Sequence, residues 1–165
     1  MTITKIIFVE ENDTCRSPMA AALLRTCPLD RPVEVQSRGM VVLYPEPMNQ
    51  KAEAVMIGNG LDTEGFTSTQ FDPEEVFLNT LVLTMEQKQR DKIREMLGPD
   101  FPEDQVQTLN EYVGEELEIM NPYGATLPAY GVLFESLNRT IQKLADILNG
   151  KAEPGGRTEP KVTEE

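Results

Sequence analysis

Apolar and polar residues along this chain fall into short runs of strand type separated by longer periodic stretches. Residues 6–9 (Ile-Ile-Phe-Val) form a continuous apolar run too short to stand as a helix. Residues 33–36 (Val-Glu-Val-Gln) alternate apolar and polar with β-branched side chains, which predicts a second strand. Residues 79–85 (Asn-Thr-Leu-Val-Leu-Thr-Met) are near-continuously apolar, as in a strand covered on both faces. Residues 104–109 predict a fourth strand of edge type. Helical patterns lie between and after these runs. Residues 19–26 predict a short helix, and residues 48–59 a second with Ala52, Val55 and Met56 inward and Gly58 and Gly60 as its stop. Residues 86–97 predict a charged helix stopped by Gly98-Pro99. Residues 126–149 carry Tyr130, Leu133, Phe134, Leu137, Ile141, Leu144, Ala145 and Leu148 at the i, i+3, i+4, i+7 spacing of an amphipathic helix. Residues 110–120 are acidic and predict mostly loop.

Strands alternating with helices imply right-handed crossovers and a parallel sheet with helices on both faces, a three-layer α/β/α sandwich. Ligands of such sheets sit at the carboxyl ends of the strands. The length of 165 residues suits one domain, assigned to residues 1–149. Residues 150–165 are rich in Pro, Gly, Glu and Lys with almost no apolar content, which predicts a disordered tail.

Composition narrows the functional classes. A net charge of −13 disfavours nucleic acid and anionic membrane surfaces, both of which call for concentrated Lys and Arg. Residues 1–10 lack the apolar core of a signal peptide, and no run approaches a membrane span. Two cysteines, Cys15 and Cys27, make no disulfide framework, so a reducing cytoplasm is expected. The chain has no histidine, which removes Ser-His and Cys-His nucleophile pairs and the commonest zinc ligand. No metal or other cofactor is expected. Oxygen atoms of Glu10, Glu11, Asp13 and Asn121 could suit a hard cation, but Arg16 and a helix dipole beside them oppose it.

The chemistry points to the stretch between the first strand and the first helix, Glu10-Glu11-Asn12-Asp13-Thr14-Cys15-Arg16-Ser17-Pro18. Ser17 is a candidate helix cap, and Pro18 fits the first helical turn, where its missing N–H costs nothing. A tight polar loop ending in arginine at a helix start is an anion cradle. Converging backbone N–H groups, the positive end of a helix dipole and a guanidinium all favour an oxyanion.

These residues resemble the phosphate-binding loop of the low-molecular-weight protein tyrosine phosphatases and of the arsenate reductases that share their fold. Thr14-Cys15-Arg16-Ser17-Pro18-Met19-Ala20 carries the likeness in the loop, and Asn121-Pro122-Tyr123-Gly124 carries it before the last helix. The resemblance covers residues 3–149 and implies a four-stranded sheet in the order 2-1-3-4. It also implies roles. Arg16 would fork onto an oxyanion, Ser17 would support the loop, and Cys15 would be the family's second cysteine. Glu11, Asn12, Asp13 and Thr14 would complete the loop, with Tyr44 and Tyr123 lining the cleft. Glu10 stands where the family carries its nucleophilic cysteine, and Asn121 where it carries the aspartate that protonates the leaving group. Phe66 and Thr69 stand where the family often carries His and Arg.

An attacking thiolate, a preorganised cradle and a proton donor are the three needs of this chemistry. Glu10 cannot supply the first, nor Asn121 the last. The acidic loop also repels a phosphate dianion, by about 4 kcal/mol per unit charge for a carboxylate at about 4 Å and an effective dielectric near 20. The resulting expectation is a pseudophosphatase whose Glu10 carboxylate folds into the cradle and pairs with Arg16, and which acts by binding a ligand or a protein partner. The alternative is an active tyrosine phosphatase or arsenate reductase of the same family.

Overall fold

A computed structural model describes residues 2–156. Its strands are β1 (Lys5–Glu10), β2 (Glu34–Gly39), β3 (Thr80–Thr84) and β4 (Val106–Thr108), and its helices are α1 (Arg16–Thr26), α2 (Gln50–Gly58), α3 (Gln87–Leu97), α4 (Leu109–Val113) and α5 (Leu127–Leu148). The four strands pair in the order β2-β1-β3-β4, parallel throughout. This is the expected sandwich and strand order.

The pleat of β1 divides the core in two. Ile6 and Phe8 face the cluster built with α1, α2, α4 and α5, while Ile7 and Val9 face the smaller cluster that includes Ile93 of α3, Val106 and Phe71. All four β1 side chains are wholly buried, worth roughly 1.5–3 kcal/mol each relative to exposure. The stripe on α5 packs as its spacing predicts, with Tyr130, Leu133, Phe134, Leu137, Ile141, Leu144 and Ala145 buried. The sheet core thereby clamps β1 along its length and delivers its last residue, Glu10, to the carboxyl edge.

Several expectations are corrected. The fourth strand is three residues long and is preceded by a 3-10 turn at Glu103–Gln105, so residues 104 and 105 lie outside it. Residue 109 leaves the strand and joins residues 110–113, predicted as loop, in α4, because Thr108 and Glu111 close a capping box that starts a helix. Helix α1 starts at Arg16, three residues before the predicted start, and Ser17 is not its cap. The predicted tail also has structure in its first part. Lys151 N–H donates to the Asp146 carbonyl (2.8 Å), and a 3-10 turn at Pro154–Gly156 packs on α4. The rest of that predicted tail, residues 157–165, lies outside the described residues.

Candidate functional site

The site is built where β1 ends and α1 begins. The loop 11–15 reverses the chain so that the amides of Thr14, Cys15 and Arg16 converge at the positive end of α1. What they hold is the Glu10 carboxylate. Thr14 N–H and Cys15 N–H donate to Oε1 at 2.9 and 2.8 Å, and Arg16 N–H donates to Oε2 at 3.1 Å. The Ser17 hydroxyl lies 3.1 Å from Glu10 Oε1. The helix N-terminus therefore needs no side-chain cap from Ser17, since a carboxylate six residues upstream of Arg16 satisfies its free amides.

Arg16 is 2% exposed and Glu10 3%. Arg16 Nε is 3.4 Å from Glu10 Oε2, within ion-pair distance but not aligned as a hydrogen bond. The other guanidinium nitrogens reach elsewhere. One donates to the Ile119 carbonyl (2.8 Å) and one is 3.6 Å from Glu86 Oε1. The guanidinium thus fastens the loop to the segment that carries Asn121 and to the start of α3.

Asp13 sits under the loop with a left-handed backbone, φ 55°, a conformation that Asp tolerates better than most residues. Its Oδ2 accepts the Thr69 N–H (2.9 Å), and its Oδ1 is 2.8 Å from Ser17 Oγ. Burial pushes its carboxyl up to about 6, aided by the Glu10 charge and opposed by the Thr69 amide and the Ser37 and Ser17 hydroxyls. The close pass of β2 requires Gly39, where a Cβ would stand 2.8 Å from the Asn12 carbonyl carbon and 3.0 Å from the Asp13 nitrogen. The Cys15 thiol is pushed up to about 12, chiefly by burial and then by Glu10, against the pull of Arg16. It is a thiol, not a thiolate, at neutral pH.

A cleft of about 290 Å³ opens above the cradle, lined by Glu10, Glu11, Asn12, Thr14, Cys15 and Arg16 from the loop and by Asn49, Glu86, Lys88, Asn121, Tyr123 and Tyr130 around it. Most of the predicted site residues therefore meet in one place. Asp13 and Ser17 lie beneath the floor. The Asn121 amide oxygen accepts the Tyr123 N–H (3.1 Å) in a local turn. Tyr44 is a correction: it is largely exposed and belongs to a neighbouring groove with Asn12, Val41, Val42, Leu43 and Glu46. The loop that carries it turns outward after Val41 N–H bonds the Glu11 carbonyl (2.8 Å).

Sequence reasoning missed Glu86, Lys88, Asn49 and Tyr130 as wall residues. Glu86 had a legible signal, since it follows β3 at the same edge of the sheet where ligands bind. Asn49 had one too: its side chain accepts from the amides of Lys51 and Ala52 as the cap of α2, and its own N–H donates to the Thr14 carbonyl (2.8 Å). Tyr130 reads only as core from its helical spacing.

A four-stranded parallel sheet in this order, with an arginine-ended amide cradle at the edge of β1, defines a class of small phosphatase-like α/β domains. The chain belongs to the low molecular weight phosphotyrosine protein phosphatase family, whose model matches residues 5–153. It is 34% identical over 147 residues to a protein-arginine-phosphatase of Geobacillus stearothermophilus, covering 87% of this chain and 95% of the relative. It is 31% identical over 144 residues to the low molecular weight protein-tyrosine-phosphatase PtpB of Staphylococcus aureus, covering 87% and 99%. Among solved structures, the YwlE arginine phosphatase from G. stearothermophilus superposes with a TM-score of 0.77 at 32% identity, covering 90% of this chain and 94% of that one. The low molecular weight protein tyrosine phosphatase of T. tengcongensis gives 0.77 at 27% identity, covering 87% and 98%. No helix among the described residues is long and apolar enough to cross a membrane.

Proposed function

We propose that this chain is a non-hydrolytic member of its family, a cytoplasmic pseudophosphatase whose cleft binds a protein partner. The observation that carries the reading is the Glu10 carboxylate seated in the loop, where it takes the amides of Thr14, Cys15 and Arg16. In this reading Glu10 occupies the nucleophile position and serves as the cradle's own anion. A phosphate dianion would have to displace it against about 4 kcal/mol of repulsion per unit charge at about 4 Å.

Three further features support it. The Arg16 guanidinium is engaged by Glu10, Glu86 and the Ile119 carbonyl and presents no fork toward the cleft. Asn121, in the general-acid position, holds an amide that cannot protonate a leaving group at neutral pH, and its oxygen is committed to Tyr123. Cys15, adjacent to Arg16, is held as a half-buried thiol. The relatives are named for phosphorylated arginine or tyrosine in proteins, so the partner we propose is a protein segment whose side chain enters between Tyr123, Tyr130 and Glu86 without a phosphate.

The test is turnover of a generic aryl phosphate and of phosphoarginine by the purified chain, by a Glu10→Cys/Asn121→Asp variant and by Arg16→Ala. The expected outcome is no turnover by the natural chain and measurable turnover by the double variant. Turnover by the natural chain that Arg16→Ala abolishes would overturn the reading in favour of an active phosphatase.

A further inference from the structure

Beneath the cradle, one hydroxyl proton is shared between two buried carboxyl groups. Ser17 Oγ is 2.8 Å from Asp13 Oδ1 and 3.1 Å from Glu10 Oε1, and Ser17 and Asp13 are wholly buried. A serine hydroxyl donates once. With both carboxyls ionised, one of the two contacts would set lone pair against lone pair in a place water does not reach.

The surroundings say which carboxyl is short of donors. Glu10 has three backbone amides and the Arg16 guanidinium beside it. Asp13 has the Thr69 N–H from the segment between α2 and β3 and the Ser37 hydroxyl facing it from β2. Other charged side chains on the packed elements are turned away: Arg38 of β2 pairs with Glu75 (3.0 Å), and Glu11 is exposed.

We infer that Asp13 carries the missing proton and donates it from Oδ1 to Ser17 Oγ, so that Ser17 can donate to Glu10, making a proton-bridged latch that holds Glu10 in the cradle. Every contact in the chain Asp13–Ser17–Glu10 then has one proton and one acceptor. When Asp13 ionises, it competes for the Ser17 proton and faces the Glu10 charge. Glu10 then loses a donor and its seat in the cradle weakens, while the Asp13 tie to the Thr69 amide persists, an ionised carboxylate being the better acceptor. The upward shift of the Asp13 carboxyl to about 6 agrees with this arrangement. The latch depends on the seating of Glu10 and not on whether the chain turns over phosphate esters.

The direction with pH follows from linkage. A carboxyl raised from 3.8 to about 6 on folding stabilises the fold fully below 3.8, and that stabilisation is lost as pH rises to about 6. Asp13→Asn supplies the same pattern at every pH, since its amide donates to Ser17 and its oxygen accepts from Thr69, and Asn tolerates the left-handed φ. The experiment is urea unfolding of the full chain and of Asp13→Asn from pH 4 to 8, with the Asp13 carboxyl carbon followed by NMR in the natural chain. The ratio of the two unfolding constants should rise about tenfold per pH unit and about a hundredfold in all, then level above about 6. The absence of histidine leaves no other side chain titrating normally in the upper part of that range. Parallel profiles for the two proteins, or an Asp13 carbon titrating at or below 4, would overturn the latch. The carbon titration decides the matter even if Asp13→Asn folds poorly.

Discussion

Arg16→Met tests whether the buried ion pair beneath the cleft organises the loop. Methionine keeps the apolar stem of the side chain and removes the guanidinium with its charge and donors. Three groups lose a partner: the Glu10 carboxylate at 3.4 Å, the Ile119 carbonyl at 2.8 Å and the Glu86 carboxylate at 3.6 Å. Glu86 is partly exposed and rehydrates. Glu10 is buried and keeps its three amides, but without a countercharge. Removing one member of a buried pair typically costs about 3–5 kcal/mol. For a domain of this size that corresponds to roughly 6–20 °C in melting temperature. The assay is urea and thermal unfolding of the natural chain, Arg16→Met, Glu10→Gln and the double variant. Glu10→Gln removes the charge but turns an amide N–H₂ toward donors, so it should also destabilise strongly. The double variant should be more stable than the sum of the two losses predicts, by about 0.5–3 kcal/mol. A loss below about 1 kcal/mol for Arg16→Met, or strict additivity, would refute the claim that this pair holds the loop shut.

Two further expectations are simpler to check. Gly39→Ala should cost about 1–3 kcal/mol by overpacking against Asn12 and Asp13, and amide exchange in the loop should rise with it; an unchanged unfolding midpoint would mean the strand can draw back. Cys15, pushed up to about 12, should resist alkylation at pH 8 until the protein is unfolded, while Cys27, raised less and more open at the end of α1, reacts first; peptide mapping by mass spectrometry reads the order.

The legible parts of the fold are those where one physical requirement dominates. Helix α5 was predicted within a residue at each end because a long stripe at 3.6-residue spacing has no other way to bury itself. The run of β1 and the run of β3 were legible because strands covered on both faces are apolar throughout. The bounds of strand β4 and the existence of helix α4 were not, because a three-residue strand and a five-residue helix carry too few positions to show a period. The capping pair Thr108 and Glu111 was the available signal for α4. Ser17 was misplaced as a cap because serine before proline favours that role locally, whereas a carboxylate from the end of β1 already fills the helix N-terminus.

By itself the sequence determined the alternation of strand and helix, the loop from Glu10 to Arg16, and the presence of a glutamate and an asparagine at its two informative positions. Those are local matters of periodicity and residue type. The tertiary structure alone decided where Arg16 spends its charge, because its partners Ile119 and Glu86 lie 103 and 70 positions further along the chain. It alone placed Asp13 between Ser17 and Thr69 and directed Tyr44 away from the cleft. A proton balance among buried groups depends on distances of a few tenths of an ångström across separate elements, and no linear pattern of residues encodes them one position at a time.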